Sequence, residues 1–136
     1  MNAPPSAAKV VCIDFDGTIA KWGGLHVFPA PLPGAAQALR ELHDAGYTIV
    51  IFTSRLSPAW LAADYASFGF SSPDEFGASN QRYVEDYLDR HDIPFDDITA
   101  EKRAAEAYFD DRAVRVSQHS PLITQVRRFL AGGFGE

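Results

Sequence analysis

Val10-Val11-Cys12-Ile13-Asp14-Phe15-Asp16-Gly17-Thr18 is the stretch whose reading decides the fold. Four β-favouring apolar residues run into two carboxylates one residue apart, followed by Gly and Thr. The first part predicts a buried strand. Two unpaired carboxylates are costly to carry to the end of such a strand, so the pattern predicts a cationic neighbour, a metal ion or a lysine. Asp-Gly also favours a tight turn, and these nine residues alone leave both readings open.

On the N-terminal side, residues 1–8 contain no apolar run of signal-peptide length and are expected to be a flexible segment. The chain of 136 residues fits one domain, expected over residues 9–131, with 132–136 as a flexible tail. A composition 46% hydrophobic and 22% charged excludes the disordered and fibrous classes. The net charge of −6 excludes a broad basic surface for nucleic acid. No run of apolar residues has the length of a membrane span, and a cytoplasmic location is expected. Cys12 is the single cysteine, so no disulfide forms within the chain, and its apolar setting reads as a small buried hydrophobe.

After the acids, the glycines and prolines between Ile19 and Gly34 forbid a regular helix and predict a loop or small hairpin folded over the strand end. Trp22 and His26 in this loop either touch a ligand or pack the loop and face solvent. Ala35, Ala38, Leu39 and Leu42 predict an amphipathic helix over 35–45. Tyr47-Thr48-Ile49-Val50-Ile51-Phe52 then reads as a strand buried on both faces, ending in Thr53-Ser54-Arg55. Ser57-Pro58 starts a helix running toward Phe68-Gly69, Ser71 to Gly77 reads as loop, and a further helix is expected from Ser79, as N-cap, to Arg90 or His91. A short strand or extended link falls within Ile93–Thr99. Ala107-Tyr108-Phe109 is a third apolar segment ending in acids, Asp110-Asp111. Ala113 to Val116 resembles another strand, and Pro121 to Leu130 a closing helix.

This alternation predicts a Rossmann-like, three-layer α/β/α fold with a mainly parallel sheet. Ligands of such sheets bind outside the carboxyl ends of the strands. That rule gathers Asp14, Asp16, Thr53, Ser54, Asp110 and Asp111 at one edge. Carboxylates with nearby hydroxyls suit Mg²⁺ and a phosphate. Lys102 can supply a fixed positive charge, although alone it reads as a surface lysine. Arg55 either grips a substrate phosphate or carboxylate bidentately or pairs with a nearby acid.

Asp14-Phe15-Asp16-Gly17-Thr18, Thr53 closing a strand, Lys102, and Asp110-Asp111 closing a later strand resemble, in order, the four motifs of the haloacid dehalogenase-like (HAD) hydrolase superfamily. The resemblance covers roughly residues 10 to 116. It implies that Asp14 is the nucleophile, forming an aspartyl-phosphate, and that Asp16 is the general acid and base. It further implies that Thr53 bonds the phosphoryl group, that Lys102 stabilises its charge, and that Asp14, Asp16, Asp110 and Asp111 bind Mg²⁺, Asp16 through its backbone carbonyl. Ser54 and Arg55 join Thr53 and Lys102 as candidate substrate-binding residues. Arg103 follows Lys102 where many members of the superfamily have Pro. Neither the gap between the first and second motifs nor that between the second and third holds a full cap domain, so the resemblance is to capless members. An open site admits a large substrate, or is covered by a second copy of the chain or by the Trp22 loop.

The resulting expectation is a Mg²⁺-dependent phosphomonoester hydrolase acting on a phosphorylated small molecule, with a macromolecular substrate as the other option. The alternatives are a receiver-like signalling domain, which would need an Asp where Thr53 stands, and an inactive phospholigand-binding module.

Overall fold

The computed structural model describes residues 9–101, 103–109 and 121–132. Lys102, Asp110, Asp111, the segment Ala113–Val116 and both termini lie outside the described residues. The described elements are β1 (Val10–Asp14), α1 (Ala35–Asp44), β2 (Thr48–Phe52), α2 (Pro58–Asp64), α3 (Pro73–Arg90), β3 (Asp97–Thr99), β4 (Ala107–Phe109) and α4 (Leu122–Leu130).

The four strands form one sheet in the order β3-β2-β1-β4, and every pairing is parallel. β-Branched residues fill β1 and β2 because both are flanked by strands on either side and covered above and below. Val11 and Ile13 pair with Ile49 and Ile51 on β2 and with Ala107 and Phe109 on β4. By strand alternation these residues share one face, which joins Ala38, Leu39 and Leu42 of α1, Val84 and Leu88 of α3, and Val126 of α4 in a single apolar core. On the opposite face Cys12 and Val50 are buried too. The sheet is therefore a middle layer covered on both sides, the three-layer Rossmann-like α/β class the sequence predicts.

Two boundaries differ from the sequence reading. α3 begins six residues before the expected N-cap, Ser79, because Ser72 caps it: its hydroxyl accepts from Glu75 N at 3.1 Å, and Glu75 Oε2 accepts from Ser71 N at 3.3 Å. Gly77, read as a loop residue, lies inside the helix, where a Cβ would stand 3.1 Å from Leu61 Cδ1; the missing side chain lets α2 and α3 approach closely. α2 ends at Asp64, short of the expected Phe68-Gly69. Among the described residues no helix is long and apolar enough to cross a membrane.

Candidate functional site

β1 lies at the centre of the sheet, and the strand order reverses between it and β4. A crevice outside the carboxyl ends of the strands at such a reversal is where parallel sheets hold ligands, and β1 ends there in Asp14. Asp14 is abreast of Phe52 in the β1–β2 register, Phe15 N donates to Phe52 O at 3.2 Å, and Thr53 N donates to Thr99 O at 2.9 Å. The ends of β1, β2 and β3 are thus tied into one edge, with Asp14 and Thr53 on adjoining strand ends.

Beyond Asp14 the chain turns. Gly17 has φ +84°, in the left-handed region where a side chain is strained, and its N–H donates to Ala20 O at 2.8 Å. Phe15 O accepts from Ile19 N at 2.9 Å and from Ala20 N at 3.2 Å. The Asp-Gly turn is real, and it serves to present Asp16. Thr18, in the same turn, is buried, with its Oγ1 lacking a hydrogen-bond partner among the described residues.

Among the described residues, the cation that meets Asp16 is Arg55. Arg55 Nε donates to Asp16 Oδ2 and Nη2 to Asp16 Oδ1, both at 2.9 Å, forming a bidentate fork. Arg55 is only 2% exposed. Its guanidinium carbon lies 4.4 Å from the ring centroids of both Trp22 and Tyr83 and 5.5 Å from that of Phe15. Nη1 reaches Leu25 O at 3.5 Å. The pairing with an acid open to Arg55 is made, with Asp16 in its fork.

Arg55 is itself fixed from below. Thr53, fully buried, accepts from Arg55 N through Oγ1 at 3.1 Å, and Asn80 Nδ2 on α3 donates to Arg55 O at 2.9 Å. Two more α3 side chains reach the 18–33 loop: Tyr83 OH donates to Val27 O, and Tyr87 OH donates to Pro29 O at 2.8 Å. Phe28 packs on Tyr83 with centroids 4.8 Å apart, under the Arg90 guanidinium at 3.9 Å. Burial pushes the Tyr83 phenol above its ordinary range against the opposing pull of the Arg55 cation, and pushes Tyr87 up to about 12. Both therefore remain donors at neutral pH. The Trp22 loop is pinned against α3 over Arg55, while His26 is exposed.

An open cleft of about 520 Å³ lies at this edge, lined by Asp16, Trp22, Ser54, Arg55, Ser57 and Trp60. Of the sequence-named residues, Asp14, Asp16, Thr53, Ser54 and Arg55 gather at the edge; Lys102, Asp110 and Asp111 lie outside the described residues. Asn80, Tyr83, Tyr87 and Trp60 were not singled out as functional. The first three share one face of α3 at helical spacing, a pattern that reads as core until the loop they hold is known.

Among the described residues no group of three or more His, Cys, Asp or Glu side chains converges for a metal. The donor chemistry at β1 still fits Mg²⁺: Asp14 offers hard carboxylate oxygen at the sheet edge. The carboxylate of Asp16, held in the Arg55 fork, does not fit as a ligand, which leaves the backbone carbonyl implied by the resemblance.

No protein-family model matches this chain, and no curated protein does. Among solved structures it is similar to the crystal structure of a target protein from Vibrio cholerae, with 24% identity over 90% of this chain and 98% of that one and a TM-score of 0.48. That likeness adds nothing to the site.

Proposed function

We propose that the chain is a Mg²⁺-dependent phosphomonoester hydrolase of the capless HAD type, working through an aspartyl-phosphate. One observation carries the reading: Asp14 ends the central strand beside Thr53, while Asp16, two residues on, is oriented into an open cleft by a buried arginine. Strand-end carboxylates in a turn need no such positioning.

In this reading Asp14 attacks phosphorus, and an O–P bond forms as the bond to the leaving oxygen breaks. Asp16 gives that oxygen its proton. A water then attacks the phosphoryl group and passes its proton to Asp16; phosphate leaves and Asp14 is regenerated. The Arg55 fork occupies one direction on each Asp16 oxygen, and a carboxylate oxygen has further lone-pair positions at which to hold a proton. Thr53 Oγ1 accepts from Arg55 N, which leaves its O–H to donate toward the phosphoryl group, with the exposed Ser54 hydroxyl beside it. Asp14, the Asp16 carbonyl, Asp110 and Asp111 are the residues that would hold Mg²⁺. The ion would draw charge from the phosphoryl oxygens and offset their repulsion of Asp14. Lys102 would add fixed positive charge. The substrate in this reading is a phosphorylated small molecule, and the expected location is the cytoplasm.

With Mg²⁺ and an aryl phosphate, Asp14→Asn should lower phosphate release by about 10³-fold or more, and EDTA should abolish it. Undiminished release by the variant would sink the assignment.

A further inference from the structure

The cleft beside Asp16 has a composition the proposed hydrolysis leaves unexplained: two indoles line it, and they are the only tryptophans in the chain. Both are braced from behind. Trp22 lies over the Arg55 guanidinium, which Asp16 and Tyr83 hold in place, yet the side chain is 49% exposed. Trp60 is half-buried on α2, supported by Phe76 of α3 at 4.8 Å and by Phe68 at 5.8 Å between centroids. A rigid aromatic surface binds a flat ring with little ordering left to lose. The cleft volume of about 520 Å³ is in the range of small-molecule sites.

Charge narrows the occupant. Among the described residues lining the cleft, Arg55 is the only cation, and Asp16 neutralises it. Among the described lining residues, what remains for polar recognition is Ser54 and Ser57, hydroxyls suited to hydrogen-bonding a neutral group. Position narrows it further, and here the inference rests on the phosphatase reading: the residue that protonates the leaving oxygen forms part of the cleft wall, so the leaving group lies in the cleft.

We propose that this cleft is a leaving-group subsite, selecting phosphomonoesters whose alcohol carries a neutral, flat aromatic or heteroaromatic ring that stacks on Trp22 and lies against Trp60. A nucleoside monophosphate and a simple aryl phosphate share this chemistry.

Because both tryptophans line the cleft, intrinsic fluorescence reports its occupancy. Adenosine, which has no phosphate to lose, should quench it saturably, whereas glycerol should not. Trp22→Ala should weaken adenosine binding, read by quenching of Trp60, by about tenfold, and Trp22→Phe should retain most of it. In turnover, kcat/KM for adenosine monophosphate or phenyl phosphate relative to glycerol 2-phosphate should favour the ring ester by about tenfold in the native chain. That ratio should fall toward unity in Trp22→Ala and recover in Trp22→Phe. Whichever ring ester shows the larger ratio identifies the nucleoside or the aryl source. Equal handling of ring and glycerol esters, or a Trp22→Ala loss shared equally by all three, would overturn the subsite while leaving the hydrolase reading intact. Trp22-dependent quenching by adenosine with no ester hydrolysed would keep the ring site and remove the hydrolase.

Discussion

Arg55 is the residue on which the most contacts at the site converge. Its guanidinium joins the turn after β1, the Trp22 loop and α3, and its own backbone is held by Thr53 and Asn80. Arg55→Ala would strand the partly buried Asp16 carboxylate and empty the space between Trp22 and Tyr83. It should destabilise the chain by about 2–4 kcal/mol in urea unfolding. Arg55→Lys restores a charge without the planar fork and should recover less than half of that; a loss under about 0.5 kcal/mol for Arg55→Ala would show the pair to be ornamental. Asp14 and Asp16 were legible because carboxylates stand out at the end of an apolar run. The Arg55 pairing was not, because nothing in Thr53-Ser54-Arg55 specifies which acid, 39 positions away, the guanidinium will meet. Composition restricted the choices, and the packing of strand ends made one.

At the scale of elements, helix α1 and helix α4 pack side by side on one face of the sheet, and Gly34 sits where they meet. Its φ is +80°, and a Cβ there would stand 2.7 Å from Ile123 Cγ2. Gly46, at the other end of α1, has φ +89° with nothing within 4 Å of its Cβ position. Gly46→Ala should therefore lose only the left-handed preference, about 1 kcal/mol, while Gly34→Ala should lose that and the α1–α4 fit, about 2–4 kcal/mol. Equal melting temperatures for the two variants would contradict the packing described. The amphipathic stripes of α1 and α4 were readable as periodicity. The start of α3 was misplaced because Gly77 reads as a breaker, when it marks a close crossing of two helices; the Ser72–Glu75 spacing was the signal that outweighed it.

For the whole molecule, the parallel α/β class followed from alternating strand and helix patterns. The strand order and the closure of the Trp22 loop did not, since each depends on contacts between distant segments. Those contacts also shape the response to alkali. Burial pushes the phenols of Tyr47, Tyr83, Tyr87 and Tyr108 upward, Tyr87 to about 12. Each holds its proton more tightly when folded than when unfolded. The stability this represents is fully present below the ordinary tyrosine value of about 10 and is lost as pH rises through the raised folded values. The urea midpoint should thus fall between about pH 10 and 12, and Tyr87→Phe, which cannot ionise, should show a shallower fall. A variant falling as steeply as the native chain would remove Tyr87 from this account.

The central place of β1 also imposes an order on synthesis. Its partner β2 follows closely, but Ala107, which pairs with Val11, is made 96 residues later. Until the ribosome delivers β4, the strand that carries Asp14 has one edge unpaired, its amides and carbonyls open to any passing strand. The nascent chain thus acquires its two acids almost at the outset, while the strand that leads into them keeps one edge unpaired until nearly all the described sheet has emerged.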